Sequence, residues 1–123
     1  MISVIIPVYN EEAFIEKTLF QLMQLKHEAD IEIIVSDGNS TDKTVEIAST
    51  YAKIIQSSKG KGKQLNEGAK HAGGDILFFV HADMYVPEGA LKKITKEIYE
   101  NGFDGGGFSN VFKEHNKKIK LLG

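Results

Sequence analysis

The sequence of 123 residues contains no cysteine and no tryptophan, and only two prolines. Without cysteine, neither a disulfide framework nor a thiolate metal site can form. No apolar run approaches the roughly 20 residues of a membrane span, and no basic segment precedes the first apolar stretch as it would in a secretory signal. These absences predict a cytoplasmic protein without a transmembrane segment.

An excess of charge of one sign is also missing, since the formal net charge is -2. Nucleic-acid-binding domains usually carry a basic face, so nucleic acid is not expected as a partner. The hydrophobic fraction of 41% and the charged fraction of 26% are typical of a globular protein. The length fits a single domain over residues 1–123.

Apolar segments of two kinds alternate along the chain. Short runs at 2–8, 31–36, 53–56 and 76–80 have the length and the branched or aromatic content of strands. Helical spacing of apolar residues predicts a helix between each pair of strands, with Asn10 and Ser40 as N-caps of the first two, and a fourth helix from Pro87 to Asn101-Gly102. A strand is expected over Phe108–Phe112 and a further helix after Lys113. The pattern predicts an α/β fold with a mostly parallel, Rossmann-like sheet and helices on both faces.

Polar residues directly follow three of the predicted strands, as Tyr9-Asn10-Glu11, Asp37-Gly38-Asn39 and His81-Ala82-Asp83. Right-handed crossovers place the carboxyl ends of these strands at one edge, which is where open parallel sheets bind ligands. Asp83 suits Mg²⁺ or Mn²⁺, which take carboxylates together with substrate phosphate oxygens. His81 is either a metal ligand or a residue that ends the strand, and we favour a non-ligand role.

Two other features each have a functional and a structural interpretation. Asp37 either binds a nucleobase or ribose, or accepts hydrogen bonds within its own turn, which is the commoner situation. In the loop 57–63, Lys59, Lys61 and Lys63 alternate with glycines. They either approach a diphosphate or form a solvated basic loop. The loop matches neither a Walker A motif nor a dinucleotide fingerprint.

Four segments together resemble the family 2 glycosyltransferases with the GT-A fold. They are Ser3–Glu12, Val35–Thr44, Gly60–Ala69 and Phe78–Asp83, in the order and spacing of that family, and they extend over nearly the whole chain. His81-Ala82-Asp83 stands where most members have Asp-x-Asp, as in a bacterial and archaeal subgroup.

The resemblance implies a nucleoside-diphosphate-sugar donor, Mn²⁺ or Mg²⁺, and transfer of the sugar to an acceptor that the sequence does not identify. Asp83 would bind the metal, and His81 would take the place of the acid that contacts the ribose. The positions implied for nucleotide-sugar binding are Pro7, Tyr9, Glu11, Asp37, Lys63, His81, Ala82 and Asp83.

The resemblance is incomplete towards the C-terminus. Family members are longer, so we expect only the nucleotide-binding half, with the acceptor-binding part missing. The family's catalytic base has no matching position, since Glu114 follows the last strand too closely, and the catalytic residue stays unassigned. The alternative to an inverting glycosyltransferase is a non-catalytic nucleotide-sugar-binding module or a fragment that is inactive by itself. A nucleotidyltransferase is disfavoured, because its glycine-rich loop would occupy the place of Tyr9-Asn10-Glu11-Glu12.

Apolar residues near the C-terminus have few predicted partners within the chain. We expect them to form an exposed patch covered by a missing segment or by a second subunit, which would make the protein a homo-oligomer. The residues are Phe103, Phe108, Phe112, Ile119, Leu121 and Leu122.

Overall fold

A computed structural model shows strands and helices alternating along the first four-fifths of the chain, followed by two adjacent strands. The structure describes residues 1–99, 111–114 and 117–121. The elements are β1 (Ile2–Val8), α1 (Ile15–Gln24), β2 (Ile31–Asp37), α2 (Thr44–Ala48), β3 (Lys53–Gln56), α3 (Lys61–Lys70), β4 (Ile76–Phe79), α4 (Ala90–Tyr99), β5 (Val111–Glu114) and β6 (Lys117–Leu121).

The six strands form one sheet in the order β3-β2-β1-β4-β6-β5. All neighbours are parallel except β5 and β6, which pair antiparallel. The chain adds β2 and β3 on one side of β1 and then returns to place β4 on the other side. Strand order therefore reverses between β1 and β4, and open α/β sheets bind ligands at such a point.

Helices cover both faces of this sheet, as predicted. Alternate residues of β1 enter two separate cores: Val4 and Ile6 pack with α1, α2 and α4, whereas Ile5 packs under α3. Burial on both faces explains why the central strands are continuous apolar runs without polar alternation. The α3 face lies so close that a Cβ on Gly68 would be 2.3 Å from Cγ2 of Ile5. Among the described residues, no helix is long and apolar enough to cross a membrane.

The predicted caps of the first two helices are wrong. Asn10 has a φ of 51° and lies well before α1, which begins at Ile15. Its side-chain oxygen accepts a hydrogen bond from the Thr41 N–H at 2.8 Å. The Ser40 hydroxyl accepts from the Asn10 N–H at 2.9 Å, and α2 begins only at Thr44. Both side chains link the loops after β1 and β2 to each other, a tertiary contact that local capping rules do not include.

The fourth helix begins at Ala90, and not at Pro87 as predicted. The Pro87 carbonyl accepts from the Ala90 N–H at 3.1 Å, and Gly89 between them has a φ of 91°. This positive φ favours glycine and keeps the preceding residues out of the helix.

The predicted C-terminal helix is also wrong, because residues 117–121 form β6 along the edge of β4. The sequence Lys118-Ile119-Lys120-Leu121 alternates with the period of a strand, and β6 pairs an edge of β4 that would otherwise be open. Val111 and Phe112 of the predicted strand 108–112 lie in β5, and residues 108–110 lie outside the described residues. The helix end at Asn101-Gly102 and the side chains of the predicted apolar patch lie outside the described residues.

Candidate functional site

A cleft of about 220 Å³ opens at the carboxyl ends of β1 and β4, at the point where strand order reverses. Three segments form its walls: the loop after β1, the first turn of α3 and the loop after β4. The structure thereby brings six of the eight predicted site residues together. The lining residues are Pro7, Val8, Tyr9, Glu11, Lys61, Gln64, His81, Ala82 and Asp83.

Two carboxylates give one side of the cleft a negative character. Burial raises the pKa of Glu11, and the negative charges of Asp83 and Asp42 raise it further. The Glu11 backbone is held in place, because its N–H donates to the Thr44 hydroxyl at 2.8 Å and its carbonyl accepts from the Ile15 N–H at 2.9 Å. Two carboxylates that repel each other are suited to attract a cation.

His81 and Lys61 contact each other across the cleft. Nζ of Lys61 lies 3.2 Å from Nε2 of His81. An ammonium group can only donate, so Nε2 of His81 is the acceptor in this contact and carries no proton. Burial and the positive charge of Lys61 lower the pKa of His81, although Asp83 opposes this shift. The lowered pKa favours the neutral imidazole, which forms hydrogen bonds without adding charge.

The turn that carries His81 and Asp83 is fixed from below by α1. The Thr18 hydroxyl donates to the Ala82 carbonyl at 2.5 Å, and the Met84 N–H donates to the His81 carbonyl at 3.0 Å. Ala82 itself is only 4% exposed. This packing leaves no room for a large side chain between the two polar residues.

Tyr9 is held from the loop before α3. Nζ of Lys59 lies 3.8 Å from the centroid of the Tyr9 ring, which is a cation–π distance. The loop lysines therefore divide their roles, with Lys59 over the Tyr9 ring and Lys61 beside His81.

Asp37 and Lys63 are the two predicted residues outside the cleft lining. Asp37 is 2% exposed, and its two carboxylate oxygens lie 3.2 and 3.3 Å from the Ser40 N–H. Its described contacts are those of a turn residue. Lys63 lies on a different face of α3 from Lys61 and lines a neighbouring cavity of about 560 Å³ with Asn39 and Asn66.

Gln64 is the cleft residue to which sequence reasoning assigned no role. It is 4% exposed, and its Nε2 donates to the carbonyls of Val8 at 2.8 Å and Ser36 at 2.9 Å. Its Oε1 accepts from the Gly60 N–H at 3.1 Å. The available signal was a polar residue four positions before Gly68 on the sheet-facing side of α3, where an apolar residue is expected.

A divalent metal fits this donor set only if substrate phosphates and water supply most of its ligands. The described residues contain no group of three or more His, Asp or Glu side chains that would enclose an ion. Asp83 at the open cleft supplies one carboxylate, and Glu11 adds negative charge nearby. Mg²⁺ and similar ions are commonly held by one or two carboxylates, with the remaining ligands from substrate phosphates and water.

The parallel sheet, its cleft at the end of β1 and β4, and the His-Ala-Asp turn after β4 are the features that the resemblance to the GT-A fold implies. The family model "Glycosyl transferase family 2" matches residues 3–120. The chain therefore belongs to glycosyl transferase family 2.

Individual relatives agree with this assignment. The chain is 36% identical over 117 residues to the uncharacterized glycosyltransferase EpsJ of Bacillus subtilis, covering 88% of this chain and 34% of EpsJ. It matches the Staphylococcus aureus TarS structure in complex with UDP-GlcNAc at a TM-score of 0.74 and 32% identity, covering 84% of this chain and 32% of TarS 1-349.

A third match is glucosyl-3-phosphoglycerate synthase from Mycobacterium tuberculosis in complex with Mn²⁺, UDP and glucosyl-3-phosphoglycerate. Its TM-score is 0.61 at 31% identity, over 72% of this chain and 35% of the synthase. These structures confirm the GT-A fold. The chain spans about one third of the length of EpsJ, of TarS 1-349 and of the synthase, but only 24% of full-length TarS, and it corresponds to the N-terminal part of these relatives.

Proposed function

We propose that residues 1–123 are the donor-binding domain of an inverting glycosyltransferase that uses a nucleoside-diphosphate sugar and a divalent metal. The observation that best supports this proposal is the meeting of Lys61, His81 and Asp83 in one cleft at the switch point of the sheet. The complexes of TarS with UDP-GlcNAc and of the mycobacterial synthase with UDP and Mn²⁺ support the same ligand class.

The charged residues of the cleft would act on the diphosphate. Asp83 would hold Mn²⁺ or Mg²⁺, which when bound neutralises the charge that develops on the leaving diphosphate. The Lys61 ammonium, beside His81, would add a second positive charge. Glu11 would contribute to cation affinity through its charge, since its carboxylate and that of Asp83 repel each other in the absence of a cation.

The remaining residues would hold the nucleoside. Pro7 and Tyr9 provide apolar and aromatic surface at the end of β1, where a base can stack. His81, as a neutral imidazole, would bond a ribose hydroxyl. Ala82 keeps the turn small enough for close approach. Asp37 and Lys63 are kept as proposed nucleotide contacts, although neither lines the cleft.

Transfer requires a base that takes a proton from the acceptor hydroxyl. The hydroxyl oxygen then forms a bond to the anomeric carbon, and the bond from that carbon to the diphosphate oxygen breaks. We assign the base to none of the described residues. The acceptor and the sugar are likewise not specified by the cleft.

The test is calorimetric titration of the chain with UDP-, GDP- and CDP-sugars, each with and without Mn²⁺. We expect one nucleotide to bind more tightly with Mn²⁺ than without it. A transfer assay with the same labelled donor distinguishes a transferase from a non-catalytic nucleotide-sugar-binding module. Failure of all three nucleotides to bind would contradict the proposal.

A further inference from the structure

Gln64 occupies a junction between three parts of the cleft. Its Nε2 donates to carbonyls of two neighbouring strands, that of Val8 at the end of β1 and that of Ser36, the last residue but one of β2. Its Oε1 and its backbone N–H both bond Gly60, at 3.1 and 2.8 Å, where the loop turns into α3. One buried amide therefore joins the ends of β1 and β2 to the turn that carries Lys61.

These hydrogen bonds use both Nε2 protons of Gln64 and occupy Oε1 as well. An amide with its donors already committed to buried carbonyls has no donor left for a ligand. Although Gln64 lines the cleft, its described bonds therefore point to an action through other residues and not to direct contact with a nucleotide.

The Gln64 side chain caps the Gly60 N–H at the start of α3. Gly60 has a φ of 146°, a conformation favourable only to glycine, and it has no side chain to cap α3. Gln64 reaches back to accept from the Gly60 N–H, from one position further along the helix than the returning residue of a capping box. Lys61 follows immediately, so the bond that fixes Gly60 also fixes the origin of the Lys61 side chain.

Gly38 provides an independent sign that the amide is tightly enclosed. A Cβ at Gly38 would lie 2.9 Å from Cδ of Gln64 and 3.0 Å from both its Nε2 and its Oε1. The loop after β2 therefore packs directly against the Gln64 amide plane, and even one methyl group would push it out of position.

We infer that Gln64 is a positioning residue for the cleft at the ends of β1 and β4: it holds the Gly60 turn against β1 and β2 and so places Lys61 beside His81. This inference deepens the proposed function and rests on it for its effect on nucleotide binding. The local geometric part, that the Gln64 amide fixes Gly60, stands on the hydrogen bonds alone.

The experiment compares Gln64→Met, which keeps length and removes the side-chain hydrogen bonds, with Gln24→Met at an exposed position of α1. We expect Gln64→Met to weaken UDP–Mn²⁺ binding at least about tenfold and to speed amide hydrogen exchange at Gly60 by a similar factor. Gln24→Met should change neither quantity. A lower melting temperature with unchanged affinity and unchanged Gly60 exchange would make Gln64 an ordinary structural residue and overturn the inference.

A second variant applies if Gln64→Met does not fold. Gly38→Ala presses on the same amide, and it should weaken binding and accelerate Gly60 exchange in the wild-type background. Unaltered affinity and exchange in Gly38→Ala would overturn the inference.

The two proposals fail in distinguishable ways. If the wild-type chain binds none of the nucleotides, the proposed function is wrong, and Gly60 exchange in Gln64→Met then decides the positioning role by itself. If the wild type binds and Gln64→Met binds equally well, the positioning role alone is wrong.

Discussion

The two ends of β1 place carboxylates in opposite environments. At the amino end, the Glu32 carboxylate accepts from the Ser3 hydroxyl at 2.5 Å and from the Gly73 N–H at 2.6 Å, and the Gly74 N–H donates to Ser3 at 2.8 Å. A Cβ at Gly74 would lie 2.5 Å from the Met1 carbonyl oxygen, so this edge is closely packed. At the carboxyl end, Glu11 and Asp83 face an open cleft.

The pKa shifts of the two glutamates follow this difference. Burial alone would raise the pKa of Glu32, but hydrogen bonds from Ser3 and from the backbone of Gly73 and Gly74 lower it below its ordinary value. The pKa of Glu11 is raised by burial and by Asp83. A carboxylate surrounded by donors stabilises the fold, whereas one that faces another carboxylate favours the binding of a cation. We therefore expect substitutions at the two edges to separate stability from binding.

The largest effect is expected for Asp83→Asn. Loss of the carboxylate should weaken UDP binding in the presence of Mn²⁺ by roughly a hundredfold, equivalent to about 2.8 kcal/mol. The melting temperature should not change, because Asp83 is exposed and buries little apolar surface. Calorimetry measures the affinity, with Asp75→Asn at the amino edge as the matched control. If Asp83→Asn bound UDP and Mn²⁺ with the affinity of the wild type, Asp83 would not be a metal ligand.

Asp37 is the next test, since its turn contacts compete with its proposed role. Asp37→Asn keeps an acceptor for the Ser40 N–H but loses the charge, and it should weaken nucleotide binding by roughly 1–3 kcal/mol with little loss of stability. Asp42→Asn in the same loop should lower the melting temperature and leave affinity unchanged, because Asp42 accepts from the Thr44 N–H at 2.9 Å. If Asp37→Asn behaves as Asp42→Asn does, Asp37 is only a turn residue.

A smaller effect distinguishes the two lysines of α3. Lys61→Met should weaken UDP binding about tenfold, the effect of one charge-assisted hydrogen bond, and should raise the pKa of His81 by removing a neighbouring positive charge. Lys63→Met, on the other face of the helix, should do less to both. Calorimetry and imidazole titration by NMR provide the two measurements. If Lys63→Met lost more UDP affinity than Lys61→Met, Lys63 would be the nucleotide contact, as the sequence predicts.

Glu32→Gln should affect stability and not binding. We expect the free energy of unfolding to fall by about 1 kcal/mol at neutral pH, because charge-assisted hydrogen bonds are weakened. The folded pKa of Glu32 is depressed, so its contribution is complete above the ordinary glutamate pKa of about 4.3 and is lost as pH falls through the folded pKa. Urea denaturation at several pH values would show the difference in free energy of unfolding between variant and wild type shrinking in acid. The UDP affinity of the variant should equal that of the wild type. A gap independent of pH would contradict the assignment.

The smallest effect, of opposite sign, is expected for Glu11→Gln. Because the folded pKa of Glu11 is raised, its ionised form costs stability at neutral pH, and the variant should be more stable by a few tenths of a kcal/mol after solvent screening. The difference should vanish as pH falls from the folded pKa to below about 4.3, where the carboxyl is protonated in both states. The same denaturation series measures it. A loss of stability in Glu11→Gln would mean that hydrogen bonds outweigh the repulsion from Asp83.

Much of the fold was predictable because it depends on local and directional properties. The apolar runs of β1 to β4 are long enough to identify buried strands, and the connections between parallel strands place their carboxyl ends at one edge. Tyr9, Glu11, His81 and Asp83 therefore reach the same cleft in the structure as they did in the prediction. The last strand was predictable too, since residues 118–121 alternate, but the prediction of a helix there is wrong.

The roles of several polar residues depend on how the loops and helices pack against each other, which the sequence does not show. Asn10 and Ser40 have the residue types of helix caps, yet they bond each other's loops, because the ends of β1 and β2 lie side by side. Lys61 and Lys63 are equivalent in sequence, and only the rotation of α3 against the sheet decides that Lys61 enters the cleft.

The sequence by itself determined the fold class, the edge of the sheet that carries the site and the chemical types available there, because hydrophobic periodicity and strand direction are properties of the chain. The tertiary structure alone decided which lysine faces His81, that Asp37 is enclosed in its turn, and that the buried Gln64 amide joins three segments. These outcomes depend on distances of a few ångströms between residues far apart in sequence, and no spacing along the chain encodes them.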